Sequence, residues 1–183
     1  TEVWGRYSFL GYEPVMEITC TDGYMKIRHT EVGNDEVVTK QVAHPGDTLR
    51  EILKEYKSPV MEEMPPFTGG LVGYFSYDYI KYSEPKLKLG EHEDPDFRDM
   101  DLMLFDQVIA FDHYRQKVLL ITGVMLDDLE KSYQKAEKKL QEMADLIRDG
   151  EKEEFPSLKL ASEIKPQFPK EKYCDMVEKA KHY

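Results

Sequence analysis

The sequence predicts an α+β fold, a mostly antiparallel β-sheet or sandwich with covering helices. Three observations lead there. Short apolar or alternating runs separated by turn residues fill residues 6–42. Two longer apolar runs, 102–111 and 118–124, are joined by a loop of hairpin length. Helical stripes follow groups of strands instead of alternating with each one, as in folds whose helices cover an antiparallel sheet.

The bulk properties are those of an ordinary globular chain. At 183 residues it fits one domain or one large piece of a bigger domain, and a chain of this size buries roughly 70% of its unfolded surface. It is 40% hydrophobic and 33% charged, which is usual for soluble domains. No apolar run approaches the roughly 20 residues of a membrane span, and no signal-peptide pattern opens the chain. A net charge of -11 argues against a nucleic-acid or anionic-membrane surface, where Lys and Arg must concentrate. Cys20 and Cys174 are far apart in sequence and form no ligand-spaced pair. They read as free thiols of a cytoplasmic protein.

Residues 6–12 read as an aromatic-rich strand. Residues 15–21 and 24–29 form two runs joined at Asp22-Gly23, the strongest short hairpin signal. A polar turn with Gly33-Asn34 leads to a strand over 37–42. Asp47 or Thr48 then caps a helix over 49–56, with Leu49, Ile52, Leu53 and Tyr56 on one face. Residues 64–85 carry Gly69, Gly70 and Gly73 in an apolar run, followed by Tyr74, Phe75, Tyr77, Tyr79 and Tyr82. Glycines this dense imply close approach of another backbone. The stretch is expected to be a central strand passing into a short helix at the heart of the core. Residues 86–99 form a polar, acidic loop. Runs 102–111 and 118–124 are apolar almost throughout, as strands covered on both faces are. Asp127 or Asp128 caps the longest helix, which ends at Gly150 and turns Leu129, Tyr133, Ala136, Leu140, Met143 and Ile147 inward.

These elements place one domain at residues 1–150, a linker at 151–169, and the start of a further helix at 170–183. The chain begins at Thr1 without a methionine. The stripe of Tyr173, Met176, Val177 and Ala180 is still running at Tyr183, so the expectation is a fragment.

No catalytic set stands out among the residues. The glycines lack the G-x-G-x-x-G spacing and no phosphate-loop Lys follows. Ser76 is not in a nucleophile elbow and reads as structural. His29, His44, His92, His113 and His182 are scattered, with no pair at metal-ligand spacing. Cys20 reads as a small core residue. Glu91, Glu93, Asp94, Asp96, Asp99 and Asp101 fail the calcium-loop template and read as a solvated loop. Asp112-His113, at a hairpin tip, reads as a cap for backbone amides.

Three segments together resemble the N-terminal region of anthranilate synthase component I, in the chorismate-utilising enzyme family. They are Gly5-Arg6-Tyr7-Ser8-Phe9-Leu10-Gly11, then residues 65–78 (PPFTGGLVGYFSYD), then residues 106–113 (DQVIAFDH). The glycine-aromatic segment is shared with aminodeoxychorismate synthase component I of the folate pathway, and the first segment tilts the choice toward anthranilate synthase. The resemblance implies a full-length protein of tryptophan biosynthesis that converts chorismate to anthranilate and pyruvate. It would use ammonia released from glutamine by a glutamine amidotransferase subunit, with Mg2+ holding the substrate. It also implies that the catalytic and magnesium-binding residues lie in a C-terminal portion not present here, so no catalytic or metal residue is assigned and no cofactor is expected in this chain. Tryptophan, the family's feedback inhibitor, would be held beside the strand bearing Arg6, Tyr7, Ser8 and Phe9. An ordinary sheet strand would show the same alternation. A non-enzymatic small-molecule binding module remains the third alternative.

Overall fold

The computed structural model describes residues 5–30, 36–84, 86–87, 97–151 and 155–182. Its elements are antiparallel strands followed by helices, as expected for an α+β fold. The chain divides into two units, residues 1–150 and 151–183.

In the first unit, β1 (Tyr7–Leu10), β7 (Gln107–Asp112) and β8 (Lys117–Thr122) form a three-stranded sheet in the order β1-β7-β8. A five-stranded sheet is built from β2 (Met16–Thr21), β3 (Tyr24–His29), β4 (Val37–Gln41), β5 (Gly70–Phe75) and β6 (Met100–Phe105), in the order β4-β3-β2-β6-β5. Every pairing is antiparallel. The β2–β3 turn uses Asp22 at φ 50° and Gly23 at φ 79°. Two successive positive φ values are what a two-residue type I′ hairpin requires, and the Asp-Gly pair supplies them.

Alternation along the five-stranded sheet sets its two faces. Met16, Ile18, Cys20, Met25, Ile27, Met100, Leu102 and Leu104 lie on one face and form the core with Leu49 and Ile52 of helix α1 (Pro45–Glu55). Leu53, expected on that buried face, is exposed. The helix begins at Pro45 after His44, with no side-chain cap, one turn earlier than the expected cap at Asp47 or Thr48. Proline is pre-shaped for the first helical position. Asp47 instead sits in the first turn, where it favours the helix dipole, and pairs with Arg50 at 2.7 Å.

The glycine-aromatic stretch is corrected in its position. β5 is an edge strand of the five-stranded sheet, not a central one. Its glycines do allow close packing. A Cβ at Gly73, whose φ is 156°, would collide with the Asp101 carbonyl oxygen and lie 2.8 Å from Leu102 Cα. The aromatics after it are less buried than a core position demands: Phe75 and Tyr77 are exposed, while Tyr79 and Tyr82 of the following 3₁₀ helix (Tyr77–Tyr82) pack partly against the core.

The apolar run 102–111, expected as one strand, is two. It breaks at Asp106, and the chain leaves the five-stranded sheet after Phe105 to enter the three-stranded sheet at Gln107. Asp106 accepts from Gly123 N at 2.7 Å through its carbonyl, and its carboxylate receives Lys139 Nζ at 2.8 Å from helix α2 (Leu129–Asp149). Asp128 caps α2 by accepting from the Lys131 amide. Of the expected inward stripe, Ala136 and Met143 are buried and Leu140 partly so, whereas Leu129, Tyr133 and Ile147 are exposed. In the second unit, helix α3 (Lys170–His182) follows Phe168, whose ring lies 4.8 Å from Lys172 Nζ, and all its described residues are exposed.

Candidate functional site

The residues singled out by resemblance sit on β1, the edge of the three-stranded sheet, beside the β7–β8 hairpin. β1 pairs with β7 so that Tyr7 faces Asp112, Ser8 faces Phe111 and Phe9 faces Ala110. Side chains alternate across a strand, so the four residues divide. Tyr7 and Phe9 share one face, their rings stacked at 6.0 Å, and Phe9 meets Phe67 edge-on at 5.6 Å. Ser8 lies on the other face, where its Oγ is 2.7 Å from His113 Nε2.

Arg6 is engaged at the strand entrance. Its Nε donates to Asp112 Oδ1 at 3.1 Å and its Nη2 to Asp112 Oδ2 at 2.7 Å, a two-pronged geometry that strengthens an ion pair. The guanidinium also lies 4.8 Å from the Tyr7 ring and 5.6 Å from the Tyr114 ring. Asp112 further accepts from the Tyr114 and Arg115 amides, the capping role expected of it at the hairpin tip. The Arg6 hydrogen bonds hold its carboxyl well below the usual carboxylate range, with the turn amides adding to the effect.

An open hollow of about 270 Å³ lies on the hairpin, lined by Phe111, Asp112, His113, Gln116, Lys117 and Val118. His113 thus touches both the hollow and Ser8. A hydroxyl beside an imidazole is the beginning of a nucleophile–base pair, but a third group must orient the base. Asp112, the neighbouring acid, is occupied by Arg6 and the turn amides. The arrangement is suited to binding: it offers aromatic faces on one side of β1 and a hydroxyl and an imidazole on the other.

A second ionisable cluster lies in the five-stranded sheet. Asp99, expected on a solvated loop, is fully buried. It pairs with Lys81 at 2.8 Å and accepts from Tyr82 Oη at 2.6 Å and from Asp22 N at 2.8 Å. Burial raises its carboxyl, but the three hydrogen bonds outweigh that and leave it below the ordinary value. Tyr82 is pushed strongly upward by burial and by its bond to Asp99. Cys20, also raised by burial, lies 3.6 Å from the same hydroxyl. This cluster locks the 3₁₀ helix to the β2–β3 turn. Ser76, before that helix, has a buried Oγ with no partner among the described residues. Asp101 pairs with Arg98 at 2.7 Å. Glu91, His92, Glu93, Asp94 and Asp96 lie outside the described residues, as does the Gly33-Asn34 turn. Among the described residues no group of three or more His, Cys, Asp or Glu is placed to hold a metal ion.

Comparison with known proteins fits this architecture. Anthranilate synthase component 1 of Acinetobacter calcoaceticus is 33% identical over 100% of this chain and 36% of its own length. Aminodeoxychorismate synthase component 1 of Bacillus subtilis is 31% identical over 98% of this chain and 37% of its own. The crystal structure of anthranilate synthase component I from Streptococcus pneumoniae TIGR4 superposes with a TM-score of 0.68 at 28% identity, over 98% of this chain and 38% of that one. The chain therefore spans just over a third of the length of these relatives. The sequence model for chorismate binding enzymes matches residues 8–183. On this evidence the chain belongs to the chorismate binding enzyme family.

Proposed function

We propose that this chain is the N-terminal structural and regulatory portion of an anthranilate synthase component I. At the length of its relatives, the protein would form anthranilate and pyruvate from chorismate, acting as a carbon-oxygen lyase. Its ammonia would come from a glutamine amidotransferase subunit. The observation that carries this reading is the 33% identity to an anthranilate synthase across the whole chain. The match to an aminodeoxychorismate synthase at 31% supports the second reading, the folate-pathway enzyme, in which the β1 site would be structural only.

The regulatory part of the proposal places tryptophan against β1. Tyr7 and Phe9 supply aromatic surface and Ser8 a hydroxyl held by His113. Arg6 keeps the strand fixed to β7 through Asp112. Tryptophan would bias the protein toward a state that handles chorismate poorly, a coupling typically worth about 1–3 kcal/mol. Mg2+ would be held outside this chain, in the portion to which the resemblance assigns its ligands, and the chain alone would form no anthranilate. Free Cys20 and Cys174 support a cytoplasmic setting. Among the described residues, no helix is long and apolar enough to cross a membrane. Titrating tryptophan into the full-length protein carrying Tyr7→Ala or Ser8→Ala tests the site. Weakened inhibition is expected, and unchanged inhibition in both variants removes these residues from it.

A further inference from the structure

The chain carries two Asp-Gly pairs, Asp22-Gly23 and Asp149-Gly150, in contrasting settings. Asp-Gly is prone to backbone cyclisation, because glycine has no Cβ to keep its nitrogen away from the aspartate side chain. Asp149-Gly150 is exposed at the end of helix α2, where the Gly150 amide donates to the Leu146 carbonyl at 3.0 Å. At the β2–β3 turn all four backbone polar atoms of the pair are bonded to other elements. Asp22 N donates to Asp99 Oδ2 at 2.8 Å and Gly23 N to Tyr82 Oη at 2.7 Å. The Asp22 carbonyl accepts from Gln41 Nε2 at 3.3 Å, and the Gly23 carbonyl from Val42 N at 2.8 Å. Lys81 Nζ holds the Asp22 carboxylate at 2.6 Å, yet that side chain is largely exposed and within reach of water.

We propose that Asp22-Gly23 is a latent site of isoaspartate formation, kept unreacted by the 3₁₀ helix and opened when that helix lets go of the turn. The Gly23 nitrogen adds to Cγ of the protonated Asp22 carboxyl. A C–N bond forms, a C–O bond breaks, and the amide proton leaves with the hydroxyl as water. A second water then opens the ring at the backbone carbonyl carbon of residue 22. The chain is left joined through Cγ, beside a free α-carboxylate. Overall mass is unchanged and no oxidant is consumed. The first step needs Gly23 N to swing onto Asp22 Cγ, which breaks its bond to Tyr82 and draws the carboxylate from Lys81. Both restraints come from the last two residues of one short helix that has no buried residue of its own. Segments with little buried surface open at lower cost than the core does. The product backbone is one methylene longer than a two-residue type I′ turn holds, so the modification loosens the β2–β3 hairpin for good. The inference is independent of the reaction proposed for the full-length enzyme.

Ageing the full-length protein at mildly acidic pH, then digesting it, tests this by peptide mapping, which separates isoaspartyl from aspartyl peptides of equal mass. In the parent, residue 22 is expected to react far more slowly than it does in the isolated peptide carrying the same pair. Tyr82→Phe removes only the hydroxyl that holds Gly23 and Asp99. It is expected to speed the reaction at residue 22 about tenfold, since the rate follows the population of the open turn. Lys81→Met is expected to act in the same direction. Residue 149, in the same samples, is expected to react at one rate in all three proteins. Hydrogen exchange separates release of the turn from general unfolding. In Tyr82→Phe the Gly23 amide should exchange faster, while that of Ile18, where β2 pairs with β6, should not. The proposal is overturned if residue 22 of the parent reacts as fast as its peptide, or if neither variant speeds it. An equal speeding at residue 149, or of exchange at Ile18, overturns it as well.

Discussion

Lys81 Nζ stands 2.8 Å from the carboxylate of Asp99, which has no solvent exposure, and the same ammonium reaches Asp22 at 2.6 Å. One lysine thereby fastens the 3₁₀ helix to both the entrance of β6 and the β2–β3 turn. Removing one partner of a buried pair leaves the other uncompensated, at a cost of roughly 3–5 kcal/mol for full burial. Lys81 is 21% exposed, so Asp99→Ala is expected to lose somewhat less, about 2–3 kcal/mol. Urea unfolding of this variant beside the parent measures the loss.

The pH dependence follows from the same groups. Asp99 and Asp112 have folded-state pKa values below the unfolded ones. Their stabilisation is therefore complete above the unfolded carboxylate value, about 3.9, and is lost as pH falls through the folded values. Lys81 and Tyr82 are raised. Their contribution is present below their unfolded values, about 10, and is lost as pH rises beyond them. The stability profile is expected to fall on both sides, and Asp99→Asn to flatten the acid limb. A parallel acid limb in that variant counts against the cluster.

Gly73→Ala is expected to cost on the order of 3 kcal/mol, since the added Cβ meets backbone atoms of Asp101 and Leu102 at a positive φ. Gly46→Ala serves as the control: its φ is not positive and its Cβ would come no nearer than 3.4 Å to the Tyr79 hydroxyl. Thermal melting of the two variants should separate them clearly.

His113→Ala is expected to leave stability within about 0.5 kcal/mol of the parent, as exposed substitutions usually do. It should weaken tryptophan inhibition in the full-length protein as much as Ser8→Ala does, because His113 positions the Ser8 hydroxyl. Combining the two changes should add little beyond either one.

Local chemistry was legible in the sequence. The Asp22-Gly23 hairpin and the Asp128 cap depend on a few adjacent residues, and both stand where the sequence puts them. Relationships set by distant partners were not. β5 is an edge because, among the described residues, it pairs with β6 alone, and nothing within residues 64–85 encodes that arrangement. Asp99 is buried because Lys81 and Tyr82, far back in the chain, converge on it. The break at Asp106 did leave a signal: a lone acid inside an apolar run. At β1 resemblance points to Arg6, Tyr7, Ser8 and Phe9, while adjacency in sequence marks Asp112 and His113 only as a turn. Their contacts with Arg6 and Ser8 come from cross-strand register.

The most direct test of the account is the product formed by a protein carrying this chain at the full length of its relatives. It would be supplied with chorismate, ammonium and Mg2+, and its products separated by chromatography with fluorescence detection. Anthranilate with pyruvate in equal amounts is the predicted result. Aminodeoxychorismate without pyruvate release would contradict it and assign the chain to the folate-pathway enzyme.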